Sequence, residues 1–285
     1  MVDQVKYQKN KVKNTLNLLY FLLKGFYMLK DYKISACIVT HNNAHKVGET
    51  IESLLEHTKC VDLKIFIVDN ISTDNTLEII RSRFPQITII ETGTNYGYGH
   101  ANNAVLPILD SKYHIVINPD ITIKDDAIML MAEYLDSHED VGMLSPKILF
   151  ADGREQILGK RNPKLRYLFA SRLRFRMFQN LLVHYAMLDE DLSKPIDIEF
   201  ASGCFMFIRT DLFKELNGFD DRFFMYFEDV DITRRVNLTK RTLFFPKSCV
   251  YHEWERSGAK KPKMFWIQIK SMIKYFIKWK FTRIK

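Results

Sequence analysis

From Ile34 onward, short apolar runs alternate with stretches in which apolar residues recur every three or four positions. Ile34–Val39 reads as a buried strand, and Val47–His57 follows at helical spacing with Val47, Ile51, Leu54 and Leu55 on one face. The alternation continues through a strand at Leu63–Val68, a helix at Thr76–Phe84 capped from Ser72-Thr73-Asp74, and a strand at Ile87–Ile90. A helix at Ala101–Leu109 and a strand at Tyr113–Ile117 complete it. Strands alternating with helices predict an α/β, Rossmann-like, mostly parallel sheet flanked by helices. Ligands of such sheets bind beyond the carboxyl ends of the strands. The polar residues ending these runs are Thr40-His41-Asn42, Asp69-Asn70, Asn95 and Asn118-Pro119-Asp120, so all four clusters are expected at one edge.

A further helix is expected near Lys124, and after Pro146 the pattern changes. Residues 154–194 form a basic, aromatic-rich insertion with helical stretches. A strand-like run at Ile196–Ile208, a short helix near Asp211–Leu216 and a strand at Ser248–Tyr251 follow. Glu228, Asp229 and Asp231 open a helix that runs through Arg234-Arg235. The simplest parse is a basic, apolar flank at 1–33, one catalytic domain at 34–258 and a basic amphipathic helix at 259–285. Within the domain, 34–120 is the nucleotide-binding half and 121–258 the acceptor and catalytic half, which carries the 154–194 insertion.

Charge sharpens that parse. The net charge of +8 is concentrated at the ends: residues 256–285 carry ten Lys or Arg and no acid, while the middle of the chain is acidic. A nucleic-acid-binding core would itself be basic, so no nucleic-acid partner is expected. An acidic body between basic ends suits an anionic membrane surface. Leu16–Leu29 is too short and too interrupted to span a bilayer and reads as an interfacial helix. Trp266, Ile269, Ile273 and Phe276 recur at helical spacing beside Lys270, Lys274 and Lys278. The basic amphipathic stripe is expected to face the membrane, with packing on the core or on a second copy, as a homodimer, as the alternative. The four cysteines form no CxxC pair, which points away from zinc and redox chemistry; Cys37 and Cys204 read as small buried residues.

The candidate chemistry lies in the polar clusters. Gly97-Tyr98-Gly99-His100-Ala101-Asn102 falls short of a dinucleotide fingerprint, because Asn102 replaces the third glycine and the run follows the third strand. A mononucleotide site fits better. Asp69 can hold a base or ribose, and Asn95, Gly97 and Gly99 allow backbone to approach a ribose or diphosphate. Asp120, just past a buried strand, is placed to hold Mg²⁺ or Mn²⁺ against diphosphate oxygens. The aromatics Phe223–Phe227 before Glu228-Asp229 predict a half-buried pocket in which a carboxylate acts as a base. His252 suits a metal or phosphate contact.

These segments together resemble family-two glycosyltransferases. The resemblance rests on Ser35–Asn42, Val68–Asp74, Asn95–Asn103, Asn118-Pro119-Asp120, Gly203–Arg209 and the Phe219–Arg235 block. Within the family the chain looks most like bacterial rhamnosyltransferases of cell-surface polysaccharide synthesis. The resemblance implies a GT-A fold and an inverting, metal-dependent transfer from a nucleotide sugar such as dTDP-β-L-rhamnose. A UDP-linked galactofuranosyl or hexosyl donor is the alternative. The expected acceptor is a polyprenyl-diphosphate-linked glycan at the cytoplasmic face of the membrane. Donor contacts are implied at Thr40, His41, Asn42, Asp69, Asn70, Asn95, Gly97, Gly99, Asn102, Asn118 and Asp120, with Asp69 on the pyrimidine base. Asp120 would be the acid of a D-x-D motif written here as N-P-D, a departure that leaves Asn118 a doubtful ligand. Asp229 would be the general base, with Glu228 and Asp231 as rivals, and His252 a second metal or diphosphate contact. Readings from other classes are a non-catalytic interaction protein and a nucleotidyltransferase, and Thr40–Lys46 lacks the glycine-rich basic loop of the latter.

Overall fold

The structure is a computed structural model that describes residues 32–173, 175–253 and 262–281. The N-terminal flank before residue 32, with the Leu16–Leu29 helix expected there, lies outside the described residues. The first four strands are β1 (Lys33–Thr40), β2 (Asp62–Asp69), β3 (Thr88–Glu91) and β4 (Tyr113–Ile117). They lie side by side in the order β3-β2-β1-β4, all parallel, and their residues are apolar on both faces. Continuous apolar runs are what a sheet covered on two sides requires. Helices α1 (Val47–His57), α2 (Thr76–Arg83), α3 (Tyr98–Asn103) and α4 (Ala127–Ser137) provide the cover. Val47, Ile51, Leu54, Ile128 and Met131 pack under one face, while Ala101, Val105 and Leu109 pack under the other.

Beyond β4 the sheet continues with strands of both directions. These are β5 (Ile121–Thr122), β6 (Val141–Leu149), β7 (Ile196–Asp197), β8 (Phe205–Arg209) and β9 (Arg241–His252). Strand β8 is antiparallel to both β4 and β6, β6 and β9 are parallel, and the short β5 and β7 pair antiparallel with β9. By length the parallel ladders dominate. The fold is GT-A: a mostly parallel mixed sheet flanked by helices.

Several local expectations are corrected. The run Ala101–Leu109 is not one helix. Helix α3 stops at Asn103, and Leu106–Ile108 forms a separate 3₁₀ turn around Pro107, which cannot donate to a helical ladder. Of the Ser72–Asp74 cap only Asp74 acts on the helix: the N-cap position of α2 is Asn75, with no side-chain cap bond, and Asp74 accepts from Thr76 N at 3.1 Å. The helix expected near Lys124 begins at Ala127. Ile196–Ile208 is not one strand but β7 and β8, separated by a segment in which Gly203 lies against Asp229. Ser248–Tyr251 is the far end of β9, divided from its start by a register shift around Pro246.

The remaining helices are α5 (Leu165–Leu173) and α6 (Gln179–Tyr185) in the insertion, α7 (Thr210–Glu215), α8 (Glu228–Val236) and α9 (Pro262–Phe281). The membrane-facing reading of α9 needs revision. Ser271, Tyr275 and Trp279, four apart, form its buried stripe, and the two aromatics join Phe223, Phe227 and Val230 in a third apolar cluster. Two of the lysines expected to face lipid also turn inward. Lys274 donates to Arg222 O at 2.6 Å, and Lys278 lies 2.6 Å from both Asp220 and Asp231. Trp266, Ile273 and Ile277 remain more than half or half exposed on another face, so the helix has two apolar sides, of which only one is docked among the described residues.

Trp279 therefore belongs to the core, and its indole N–H donates to Asp231 Oδ1 at 2.9 Å. Trp279→Ala should lower the unfolding free energy by about 3–5 kcal/mol. Trp266→Ala, at an exposed site, should change it by no more than about 0.5 kcal/mol. Urea titration of the two variants tests the docking, and equal effects would refute it.

Candidate active site

The ends of the first three strands are tied into one polar rim. Thr40 and Asp69 are register partners, and the Thr40 hydroxyl donates to Asp69 Oδ1 at 2.9 Å. Ser72 N–H donates to the other carboxylate oxygen, also at 2.9 Å. Asn70 Nδ2 donates to Asn95 Oδ1 at 3.0 Å, and that oxygen also accepts from Gly97 N at 3.1 Å. His41 Nδ1 donates to Asn70 O at 2.7 Å, while Asn42 Oδ1 accepts from Thr73 N at 2.7 Å. Thr40, His41, Asn42, Asp69, Asn70, Asn95 and Gly97 are thus linked from strand end to strand end, as expected. Asn102 is different: it is fully buried and donates to Tyr98 O at 3.0 Å within its own helix. It does not line the cleft described next.

Beside the rim opens a cleft of about 380 Å³. Asn118 and Asp120 from the turn after β4, His252 from the end of β9, and Glu228-Asp229 from the start of α8 all line it. Six segments of the sequence, including Tyr98, Gln156 and Ser202–Cys204, converge here. The Asn118–Asp120 turn is pinned from two sides: Thr50 Oγ1 donates to Pro119 O at 2.8 Å, and Asn118 N donates to Cys204 O at 2.9 Å. Asp120 Oδ2 lies 3.4 Å from His252 Nε2, while Asp120 Oδ1 is buried with no hydrogen-bond partner.

Glu228 and Asp229 are aimed by a strained turn. Tyr226 and Phe227 both adopt left-handed backbone angles, at φ 68° and 70°. Such angles cost of order 1–3 kcal/mol each for residues of this kind, and the surrounding contacts hold them. Tyr98 N donates to Phe224 O at 2.9 Å, which clasps the turn to the glycine loop. Gly97, at φ 100°, permits that approach, because a Cβ there would fall 1.9 Å from the Phe224 oxygen. Gly99 packs beside it, where a Cβ would meet Phe219.

Asp231 does not reach the cleft. It is fully buried on the opposite side of α8, bonded to Arg235 at 2.8 Å and to Trp279 and Lys278 of α9. Its expected role as a rival base is replaced by an anchoring one. Gly203, Gln156, Met225 and Tyr226 line the cleft without having been singled out for their own chemistry. Gly203 N donates to Asp229 Oδ2 at 3.1 Å. Gly203 carried a signal as part of the Gly203–Arg209 segment, and Met225 and Tyr226 as part of the Phe219–Arg235 block; Gln156 carried none.

Burial raises the pKa of both Glu228 and Asp229 above the ordinary carboxylate range. For Glu228 the neighbouring charge of Asp229 adds to the burial, and the group is pushed up strongly. For Asp229 the N–H groups of Gly203 and Val230 oppose the burial. Asp229 therefore ionises before Glu228. The Cys204 thiol at the cleft wall is pushed up to about 12 by burial and is inert as a nucleophile.

The raised Glu228 pKa makes a stability prediction with a definite sign. At acid pH Glu228 is protonated in both folded and unfolded chains. As pH rises through the ordinary glutamate value of 4.5, only the unfolded chain releases the proton, and the folded state loses stability. Glu228→Gln removes that loss. In thermal melts without divalent cations, its Tm relative to wild type should climb by roughly 2–4 °C between pH 5 and pH 8. A Tm difference independent of pH would mean that Glu228 is ionised.

The family model of glycosyl transferase family 2 matches residues 35–216. The chain is 26% identical over 243 residues to rhamnosyltransferase WbbL of Escherichia coli, covering 81% of this chain and 89% of that protein. It is also 26% identical over 221 residues to the N-acetylglucosaminyl-diphospho-decaprenol L-rhamnosyltransferase of Mycobacterium tuberculosis, covering 70% and 69%. Among solved structures, S. aureus TarS 1–349 in complex with UDP superposes with a TM-score of 0.57 at 18% identity, over 86% of this chain and 65% of that one. GalNAc-T7 with UDP, GalNAc and Mn²⁺ superposes with a TM-score of 0.64 at 16% identity, over 83% and 46%. The strand-end rim, the acidic cleft and the matched segment agree, and the chain belongs to glycosyl transferase family 2.

Proposed function

We propose that the chain is an inverting, metal-dependent transferase that moves L-rhamnose from dTDP-β-L-rhamnose onto a polyprenyl-diphosphate-linked glycan. The observation that carries this reading is the meeting of Asp120, His252 and Asp229 in one cleft beside the strand-end rim. In this reading Asp69 accepts from the pyrimidine base. Thr40, His41, Asn42, Asn70, Asn95, Gly97 and Gly99 shape the ribose and diphosphate site. The rhamnosyl donor is inferred from the two rhamnosyltransferase relatives.

Asp120 and His252 have the chemistry to hold Mg²⁺ or Mn²⁺: one carboxylate oxygen is buried and unpartnered, and the other faces an imidazole nitrogen. Among the described residues no group of three or more His, Cys, Asp or Glu forms a closed metal cage. The remaining ligands are then left to diphosphate oxygens and water, as is usual for a hard cation on a phosphate substrate. Such an ion, when bound, stabilises negative charge on the departing diphosphate without a proton. Asn118 lines the cleft, and its amide is a weaker ligand than the carboxylate it replaces.

Asp229 takes the acceptor proton. As the acceptor oxygen bonds to the sugar C1, the C1–O bond to diphosphate breaks on the opposite face, and the anomeric configuration inverts. Glu228, whose carboxyl is pushed up further than that of Asp229, ionises after it and is the weaker candidate for the base. Donor hydrolysis across dTDP-rhamnose, UDP-galactofuranose, UDP-GlcNAc and UDP-glucose identifies the donor, with dTDP-rhamnose expected to turn over fastest. Asp229→Asn should bind that donor normally and lose about 10²–10⁴-fold in transfer rate. Near-wild-type transfer by this variant would place the base elsewhere, and a preference for a UDP-sugar would overturn the rhamnosyl assignment.

The acceptor reading places the enzyme on the cytoplasmic face of a bacterial membrane. No described helix is long and apolar enough to cross a bilayer. The free face of α9 supports a peripheral contact: Trp266, Ile273 and Ile277 are exposed, with Lys263 and Lys270 beside them. The insertion extends it, since Leu165, Phe169, Phe175 and Met177 are exposed and Arg172 stacks 4.7 Å over Phe265 of α9. Ser271 of the same helix bonds to Met225 O, and Met225 lines the cleft, so this face adjoins the site. Each lysine near an anionic surface contributes ~1 kcal/mol. Wild-type protein should float with phosphatidylglycerol-rich liposomes, and serine at 266, 273 and 277 together should abolish flotation. Undiminished flotation of that variant would exclude α9 as the contact.

A further inference from the structure

We infer that Gln156 is the positioning residue that fixes the tautomer of His252, leaving Nε2 bare and aimed with Asp120 at a shared cation. The inference rests on the metal-dependent reading above but stands on its own geometry.

Gln156 follows β6 and is 3% exposed. Its backbone N–H donates to Ile148 O at 2.8 Å, which holds the residue against the sheet edge. One end of its side-chain amide lies 2.7 Å from His252 O and 3.2 Å from Leu149 O. Carbonyl oxygens only accept, so that end must be the NH₂ group. The other end is then the amide oxygen, 3.2 Å from His252 Nδ1. An amide oxygen also only accepts, so Nδ1 must carry the hydrogen. A neutral imidazole protonated on Nδ1 has a bare lone pair on Nε2.

That lone pair faces Asp120 Oδ2 across 3.4 Å. Two acceptors pointed at each other repel unless something positive lies between or beside them. Neighbouring ligands of one octahedral Mg²⁺, each at about 2.1 Å, lie roughly 3 Å apart. The pair is close to that spacing, and the unpartnered Oδ1 of Asp120 lies in the same place. The opposite tautomer would send an Nε2–H into Asp120 and occupy both groups with each other. Gln156 excludes it by presenting an oxygen to Nδ1 and spending both amide hydrogens on fixed carbonyls. Metal-bound histidines commonly have their second nitrogen held in this manner.

The tautomer can be read without any substitution. In metal-free protein labelled with ¹⁵N-histidine at about pH 8, where free imidazoles are neutral, His252 should show a protonated Nδ1 and a bare Nε2. The signal is assigned by its loss in His252→Gln. The second measurement is the gain in nucleotide affinity on adding Mn²⁺, with dTDP or UDP as the donor screen selects. In Gln156→Leu that gain should fall about 10–100-fold, with affinity in the absence of Mn²⁺ unchanged. A protonated Nε2 in the wild-type protein, or an undiminished Mn²⁺ gain in Gln156→Leu, overturns the assignment. A wild-type protein with the expected tautomer but no Mn²⁺ gain overturns the metal reading alone and leaves the tautomer assignment standing.

Discussion

The site is organised around the burial of two adjacent carboxylates at the mouth of a helix. Water would solvate Glu228 and Asp229 far better than the protein does, and the fold meets that cost with backbone rather than with cations. Gly203 and Val230 offer N–H groups to Asp229, while Glu228 has only its own backbone N–H to oppose burial and the neighbouring charge. The two acids therefore release their protons in sequence although they are neighbours in the chain. The left-handed turn at Tyr226-Phe227, the bare glycine at 97 and the β7–β8 connection that carries Gly203 all serve to hold this arrangement.

A second economy lies in how the halves of the molecule communicate. The strand-end rim is a local product of consecutive βα units, whereas the acidic turn comes more than a hundred residues later. The join is made by backbone, Tyr98 N to Phe224 O, where no side chain at 97 would fit. The rim and the Glu228-Asp229 turn are consequently held in fixed register, because the same short segment bounds both.

Much of this was legible in the sequence, and the parts that were not share a physical cause. The parallel strands announced themselves because buried strands need continuous apolar runs, and their polar ends marked the rim at Thr40, Asp69 and Asn95. Asp120, Asp229 and His252 stood out as acids and an imidazole placed just beyond such runs. Asp231 misled, because in a sequence a carboxylate two residues from another looks equivalent, yet on a helix it points to a different side. Gln156 was invisible for a related reason: its role depends on two carbonyls and a histidine brought to it by β6 and β9. The paired left-handed aromatics had no sequence signal at all, since nothing in Tyr226-Phe227 favours that backbone. The stripe chosen on α9 was real but incomplete, because Tyr275 and Trp279 define a second one that only the docked partner reveals.

The anchoring of Asp231 has a further consequence for the last helix. Asp229 and Asp231 share the first turn of α8, one acting toward the cleft and the other gripped by Trp279 and Lys278. The tail is thus a keystone rather than an appendage. Cutting it away would take Trp279 and Lys278 from Asp231, leave it Arg235, and open the apolar cluster beneath Asp229. A shortened chain would then lose its catalytic geometry for reasons unrelated to lipid, and tail truncations and surface substitutions would report on different things.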